Sequence, residues 1–268
     1  MQDILQAEVI RKLIGEGAVM GSEILCAKSL PSTNNVAMQM AMEGAPEGLL
    51  VIADSQSAGK GSRGRSWVSP AGSSISMSLV LRPKVRPDKA SMITLAAGLA
   101  VRDVLGQYAD NCLIKWPNDV VIGGRKLVGI LTEMRCGKAG IEQVILGIGI
   151  NVHTESFPED IKETATSLYL ETGRHVDRSE IIAGICRAVE KRMAQFEAAA
   201  DLSLMMDAYN QKLVNVGREV MLVGAEESER GICLGISSDG SLNVRLSDGS
   251  IKNIIAGEVS VRGIYGYA

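Results

Sequence analysis

From Leu113 to Asn151 the sequence has strand character almost throughout, and within that stretch Val120–Ile122 and Leu127–Leu131 flank Gly123-Gly124-Arg125. A Gly-Gly pair between apolar runs predicts a tight hairpin, because both turn residues need positive φ. Tight hairpins join antiparallel neighbours, whereas parallel strands need a crossover of about a dozen residues or more. The sheet is therefore expected to be largely antiparallel, with Ile141–Asn151 closing it. Ahead of this stretch Leu49–Ala53 read as a buried strand, and the alternation of Ile75, Met77, Leu79 and Leu81 marks another. Ser91–Tyr108 carry Leu95, Leu99, Val101 and Leu105 at helical spacing. Together these segments predict an α+β fold, a mixed and largely antiparallel sheet flanked by helices.

At the N-terminal end, Ile4, Leu5, Val9, Ile10, Leu13 and Ile14 recur at helical spacing until Gly15, giving one short helix within residues 1–20. Pro31-Ser32-Thr33-Asn34-Asn35 is a cluster of turn and cap residues leading into a Met- and Ala-rich helix that ends near Gly44. Met38, Met40 and Met42 are expected there as packing material. Asp177 with Glu180 reads as a capping box for a helix carrying Ile181, Ile182, Ile185, Val189, Met193 and Phe196. A further helix is expected over Leu202–Leu213. After Val216, short alternating strands are separated by Asp239-Gly240 and Asp248-Gly249, both hairpin signals. These boundaries predict a large unit over 21–214 and a small C-terminal β-barrel over 215–268.

Charge and cysteine usage narrow the function classes. A formal net charge of −3 does not supply the broad positive field of a non-specific nucleic-acid binder. The five cysteines, Cys26, Cys112, Cys136, Cys186 and Cys233, form no C-x-x-C and suit reduced thiols in a cytoplasmic setting better than a disulfide framework or a zinc site. The N-terminus lacks a cationic segment followed by an apolar core, and no apolar run reaches about 18 residues, so neither secretion nor a membrane span is expected. The two histidines, His153 and His175, stand in polar stretches and are expected to face solvent rather than ligate metal.

Two constellations carry chemistry. Gln56-Ser57-Ala58-Gly59-Lys60-Gly61-Ser62-Arg63-Gly64-Arg65-Ser66-Trp67 contains G-x-G-x-x-G. A dinucleotide fingerprint must open a helix, and Trp67-Val68-Ser69-Pro70-Ala71-Gly72 cannot begin one. The kinase version has valine where Ser66 stands. What remains is a glycine-rich loop bearing Lys60, Arg63 and Arg65, suited to phosphate, or alternatively a solvated surface loop. The second constellation is Lys115-Trp116-Pro117-Asn118-Asp119, followed after the hairpin by Lys126. A carboxylate, an amide and lysines at one end of a sheet suit ATP with its Mg²⁺, or alternatively a structural ion pair beside a hairpin.

Taken in order, Ser32-Thr33-Asn34, the loop Gln56 to Trp67, Lys115-Trp116-Pro117-Asn118-Asp119, Lys126-Leu127-x-Gly129-Ile130-Leu131 and Gly147-Ile148-Gly149-Ile150-Asn151 resemble the biotin protein ligases over residues 30–268. The resemblance implies a class II synthetase-like catalytic domain, as in biotin and lipoate ligases, with a C-terminal Src-homology-3-like barrel. It implies Ser32, Thr33, Asn34 and Gln56 around the biotin ureido ring, Trp67 and Gly129 shaping the apolar surroundings, and Gly59, Lys60, Gly61 and Ser62 closing over biotin. Lys126 would contact the biotin carboxylate and the α-phosphate. Arg63, Arg65, Lys115, Asn118, Asp119 and Asn151 would serve ATP, with Mg²⁺ brought by ATP and reached by Asp119, and 152–165 would form a flap over adenine. Lys126, Lys60 and Arg63 are the residues it implies in catalysis, which is chiefly positioning and electrostatics.

The substrates implied are ATP and biotin, and the partner is a biotin carboxyl carrier domain of a carboxylase, with pairing into homodimers through sheet edges. One position departs from the family pattern: Ser62 stands where the loop usually has arginine. A serine makes no bidentate, charge-assisted bond, so the adenylate is expected to escape more readily, with Arg63 substituting in part. A lipoate or octanoate ligase, a ligand-sensing repressor and a catalytically inert biotin-binding module are the alternatives. The glycine-rich loop and C-terminal β unit favour biotin over lipoate. A repressor would need a helix-turn-helix ahead of the ligase region, and the expected form is the short one without it.

Overall fold

The computed structural model describes residues 4–223, 228–256 and 260–263. Residues 1–3 of the expected N-terminal helical unit, and 224–227, 257–259 and 264–268 of the expected C-terminal β unit, lie outside the described residues. The chain runs α1 (Ala7–Ile14), β1 (Ile24–Leu30), α2 (Thr33–Met42), β2 (Leu50–Gln56), β3 (Ser74–Leu81), α3 (Ser91–Leu105), β4 (Cys112–Lys115), β5 (Asp119–Ile122), β6 (Arg125–Gly137) and β7 (Gly140–Asn151). It continues through α4 (Leu168–Thr172), α5 (Arg178–Ala199), α6 (Met206–Asn210), β8 (Glu219–Val223), β9 (Ser228–Ile236), β10 (Leu242–Leu246), β11 (Ile251–Ile254) and β12 (Ser260–Gly263).

The large sheet has the order β1-β2-β3-β7-β6-β5-β4. Only β1 and β2 run parallel, and every other pairing is antiparallel. The expected hairpin joins β5 to β6, with Gly123 at φ 57° and Gly124 at φ 77°. The position of β7 differs from expectation. It does not close the sheet but lies between β3 and β6, and the edges are β1 and β4. Its sequence explains this, since from Gln143 to Asn151 every residue is buried, as a strand covered on both faces requires.

Successive residues of β2 show the two layers. Leu50 and Ile52 enter the main core with α1, α3 and α5, while Leu49 and Val51 join a smaller cluster under α2 with Ala37, Ala41, Val80 and Ile145. On β3 Ile75, Met77, Leu79 and Leu81 face the main core, and Ser76 and Ser78 share the face of Val80, beneath α2. Met38 and Met40 pack there as expected, but Met42 is exposed and its sulfur accepts from Arg135 Nη1.

Helix α5 begins as expected, with the Asp177 carboxylate accepting from the amides of Ser179 and Glu180. α3 ends at Leu105, a turn carrying the chain on to Tyr108, and the helix expected over 202–213 contracts to α6. The C-terminal strands form an antiparallel sheet of order β11-β10-β9-β8-β12, turned at Asp239-Gly240 and Asp248-Gly249. Its apolar residues Val220, Cys233, Leu242 and Val244 belong to the same continuous core as α3 and α5. All five cysteines are free thiols. Among the described residues no helix is long and apolar enough to cross a membrane.

Candidate active site

The start of α2 faces the serines of β3, and the meeting point is polar. Ser32 caps the helix, its hydroxyl 3.5 Å from the Asn35 amide. The Thr33 amide donates to Gln56 Oε1 at 2.8 Å, and the Thr33 hydroxyl reaches the same oxygen at 3.2 Å. Buried Ser78 lies 2.8 Å from Thr33 Oγ1 and 2.6 Å from Asn34 Oδ1. Asn34 Nδ2 donates to Glu133 Oε2 at 2.8 Å, and Glu133 Oε1 receives Lys60 Nζ at 3.1 Å. Ser32, Thr33, Asn34, Gln56 and Lys60 line one cleft.

The sheet floor of this cleft is bare by design of the sequence. A Cβ on Gly147 would stand 2.1 Å from Asn34 Oδ1, and one on Gly149 would stand 2.4 Å from the Trp67 indole. The alternating glycines of Gly147-Ile148-Gly149 thus admit Asn34 and Trp67 on one face while Ile148 and Ile150 fill the core on the other. Gly129 likewise leaves room for Trp67 and the Lys126 side chain, at 3.1 and 3.2 Å from its would-be Cβ.

The glycine-rich loop opens no long helix. It folds back on itself, the Trp67 amide donating to Gly59 O at 2.9 Å and the Gly61 amide to Arg65 O at 2.7 Å, with a single 3-10 turn at Ser62–Gly64. Gly59 is required by that return, since its Cβ would meet Trp67 O at 2.3 Å. Gly61 and Ser62 line the first cleft and also a second, adjoining one. Arg65 lines the second and bonds back to Ser62, Nη2 to Oγ at 3.0 Å. Arg63, expected to substitute for the missing arginine, is exposed with φ 59° and lines neither cleft.

Lys126 and Trp67 line both clefts. Lys126 Nζ sits 2.7 Å from Asp119 Oδ1 across the hairpin and 5.9 Å from the centre of the Trp67 ring. The remaining members of the Lys115–Asp119 segment divide their tasks. Lys115 stands opposite Asp119 in the β4–β5 register and lines neither cleft. Trp116 is buried and donates Nε1 to Gly240 O at 3.2 Å. Asn118 lines the first cleft while its amide donates to Ile130 O at 2.9 Å.

The second cleft is roofed by the segment expected as a flap, with Thr154, Phe157, Ile161 and Thr164 among its lining residues. That segment is strapped to the backbone of Lys126, whose N–H donates to Thr164 O at 2.7 Å and whose carbonyl accepts from the Thr166 amide at 2.9 Å. Asn151 lines this cleft and donates to Thr166 O at 3.0 Å. His153, expected to face solvent, is half-buried with its Nε2 2.9 Å from Val176 O, and His175 is exposed beside it. Among the described residues no group of three or more His, Cys, Asp or Glu side chains converges as a metal site.

Sequence reasoning missed Ser76, Ser78 and Glu133. The serines carried a signal, since three of them alternate with the apolar residues of β3 on a face that is fully buried. Glu133 carried none, because a lone carboxylate on a strand resembles any solvent-facing charge.

This arrangement has known counterparts. Residues 26–151 match the Biotin/lipoate A/B protein ligase family and residues 216–262 the Biotin protein ligase C terminal domain. The chain is 36% identical over 248 residues to the Bifunctional ligase/repressor BirA of Bacillus spizizenii, covering 91% of this chain and 75% of that protein. It is 32% identical over 259 residues to the Biotin--[acetyl-CoA-carboxylase] ligase of Mycobacterium tuberculosis, covering 91% and 93%. Among solved structures, the biotin protein ligase from Aquifex aeolicus in complex with biotin and ATP superposes with a TM-score of 0.78 at 29% identity, over 90% of this chain and 99% of that one. Sequence likeness, fold and the two matched regions agree that this chain is a ligase and belongs to the biotin protein ligase family.

Proposed function

We propose that this chain activates biotin with ATP as biotinyl-5′-AMP and then transfers biotin to a lysine of a carrier domain of a carboxylase. The observation that carries the reading is that Lys126 lines two adjoining clefts, one with a polar head and glycine floor, the other roofed by 154–165. A bicyclic ligand with a polar ring and an aliphatic acid suits the first, and a nucleotide suits the second. The names of the relatives, and the biotin and ATP bound by the Aquifex aeolicus enzyme, support the same assignment.

In the first step a biotin carboxylate oxygen would bond to the α-phosphorus of ATP as the bond to pyrophosphate breaks. Two anions must approach, and charge grows on the α-phosphoryl oxygens. Lys126, already in a largely buried charged pair with Asp119, would turn its ammonium to those oxygens. Asp119 would then face the Mg²⁺ that accompanies the triphosphate. In the second step a neutral acceptor amine would attack the acyl carbon, with AMP leaving. No protein nucleophile enters either step.

Pyrophosphate exchange into ATP by the purified chain tests this reading. Exchange that requires biotin is expected, followed by label transfer to a biotin carrier domain. Exchange supported by lipoate or octanoate in place of biotin would shift the substrate assignment, and absence of exchange with any of the three would overturn it.

A further inference from the structure

Glu133 lies on β6, and its carboxylate is divided between two partners. Oε2 accepts from Asn34 Nδ2 at 2.8 Å and Oε1 from Lys60 Nζ at 3.1 Å. Asn34 is held at its other end by the Ser78 hydroxyl, 2.6 Å from Oδ1; Ser78 Oγ lies 2.8 Å from the Thr33 hydroxyl, and the Thr33 backbone N–H donates to Gln56 Oε1 at 2.8 Å. One hydrogen-bonded chain therefore runs Gln56–Thr33–Ser78–Asn34–Glu133–Lys60. It ties the glycine-rich loop to the cleft floor at two points, where the loop begins and where its first cation stands.

A side-chain amide can present either its oxygen or its nitrogen in a given direction, and the neighbours decide which. An ionised carboxylate only accepts, so Glu133, with the Leu131 carbonyl as a longer second acceptor at 3.4 Å, turns the Asn34 NH₂ toward itself and the oxygen toward Ser78. The same carboxylate holds Lys60, which is half-exposed in that pair. Half-exposed ion pairs add little to stability, so the effect of this one falls on loop geometry. We infer that Glu133 is a positioning residue for ligand recognition, setting the polarity of Asn34 at the cleft head and latching the glycine-rich loop there through Lys60. The inference rests on the biotin-ligase reading above.

The test uses the full chain and biotin-dependent pyrophosphate exchange, with biotin and ATP titrated separately. Glu133→Gln keeps the shape but offers one uncharged carbonyl oxygen, so either Asn34 keeps only the longer bond to Leu131 O or Lys60 loses its acceptor. The biotin KM is expected to rise about tenfold or more, as for a lost bond to a charged group, while the ATP KM and kcat stay within about twofold. Lys60→Met leaves Asn34 held and removes the latch together with the charge that Lys60 brings to the cleft. It should raise the biotin KM less, and should speed trypsin cleavage after Arg63 and Arg65 in the biotin-bound protein. The double variant should lose no more than Glu133→Gln alone, because both act through one carboxylate.

An unchanged biotin KM in Glu133→Gln, or an equal loss in kcat and ATP KM, overturns the positioning role. Should Glu133→Gln fail to fold, Lys60→Met decides: an unchanged biotin KM with unchanged cleavage overturns the latch. Exchange by the unsubstituted chain is read first. Its absence removes the biotin-ligase reading itself, whereas its presence beside an indifferent Glu133→Gln removes this inference alone.

Discussion

At the scale of single residues, the site depends on a few atoms that cannot be exchanged for near equivalents. Lys126 lines both clefts, and in the proposed adenylation it would meet the charge that grows there, so its contribution should be larger in the transition state than in the bound ground state. Lys126→Ala is expected to slow biotin-dependent exchange by about 10²-fold or more, and a rate within a few-fold of the parent would remove it from the chemistry. Ser62 lines both clefts where a family arginine would bring charge, and Arg63 lines neither. Ser62→Arg should therefore slow the dissociation of biotinyl-AMP several-fold, measured by chase with unlabelled ligand; equal rates would show that the departure has no effect on retention. Gly149→Ala should raise the biotin KM by about tenfold, since the methyl drives the Trp67 indole aside at a typical overpacking cost of about 1–3 kcal/mol. Steady-state titration of each substrate distinguishes these outcomes. The identity of most cleft residues was legible in the sequence as an ordered set of motifs, but the reason for the glycines was not. Only the fold reveals that Gly147 and Gly149 make room for Asn34 and Trp67, side chains more than a hundred and more than eighty positions away in some pairings are not announced by any local pattern.

At the scale of elements, local chemistry announced what depended on neighbours in sequence. The Gly123-Gly124 hairpin and the Asp177 cap stand where their residues require. What could not be read was pairing at a distance. β1 went unrecognised because it is an edge strand, half-buried and without alternation, and its parallel pairing with β2 follows from where α2 returns the chain. The contraction of α6 has a tertiary cause as well, since the chain after Asn210 leaves the helix to run beside β4, where Ile114 bonds Lys212 O and the Val214 amide. One long-range tie deserves a test because it joins three elements beside the glycine-rich loop. Arg178, 1% exposed at the start of α5, donates Nη1 to Asp54 Oδ1 of β2 at 2.7 Å and to Ser74 O of β3 at 2.9 Å. Asp54 also accepts from the Gly72 amide, on the chain that returns from the loop. Removing one member of a buried pair strands the other, at about 3–5 kcal/mol. Asp54 is partly exposed, so Asp54→Ala should cost about 3 kcal/mol in urea unfolding. A loss below about 1 kcal/mol would mean that Arg178 finds enough other acceptors.

At the scale of the whole molecule, the division at 214/215 read from sequence texture is a proposal about organisation, and the packing bears on how the two parts behave. The main core is continuous: Leu202, Met205 and Tyr209 of the connecting segment share it with Leu95 of α3 and with Val220, Cys233 and Leu242 of the C-terminal sheet. Backbone bonds cross the same junction, Leu202 N–H to Ser238 O at 2.8 Å, and Asn210 pairs with Ile236 through both its side-chain oxygen and nitrogen. A C-terminal sheet so joined gains little by releasing alone, because its inner face would be exposed with no partner of its own. The two tryptophans make this measurable, since Trp116 reports on the junction through its bond to Gly240 O, and Trp67 reports on the cleft. In the Trp67→Phe variant, Trp116 fluorescence should change at the same urea concentration as far-UV circular dichroism, and in Trp116→Phe the Trp67 signal should do likewise. Fluorescence of Trp116 changing ahead of circular dichroism would mean that the C-terminal sheet detaches first, and that the segment from Trp116 to Lys126 carries its charged pair without support from that sheet.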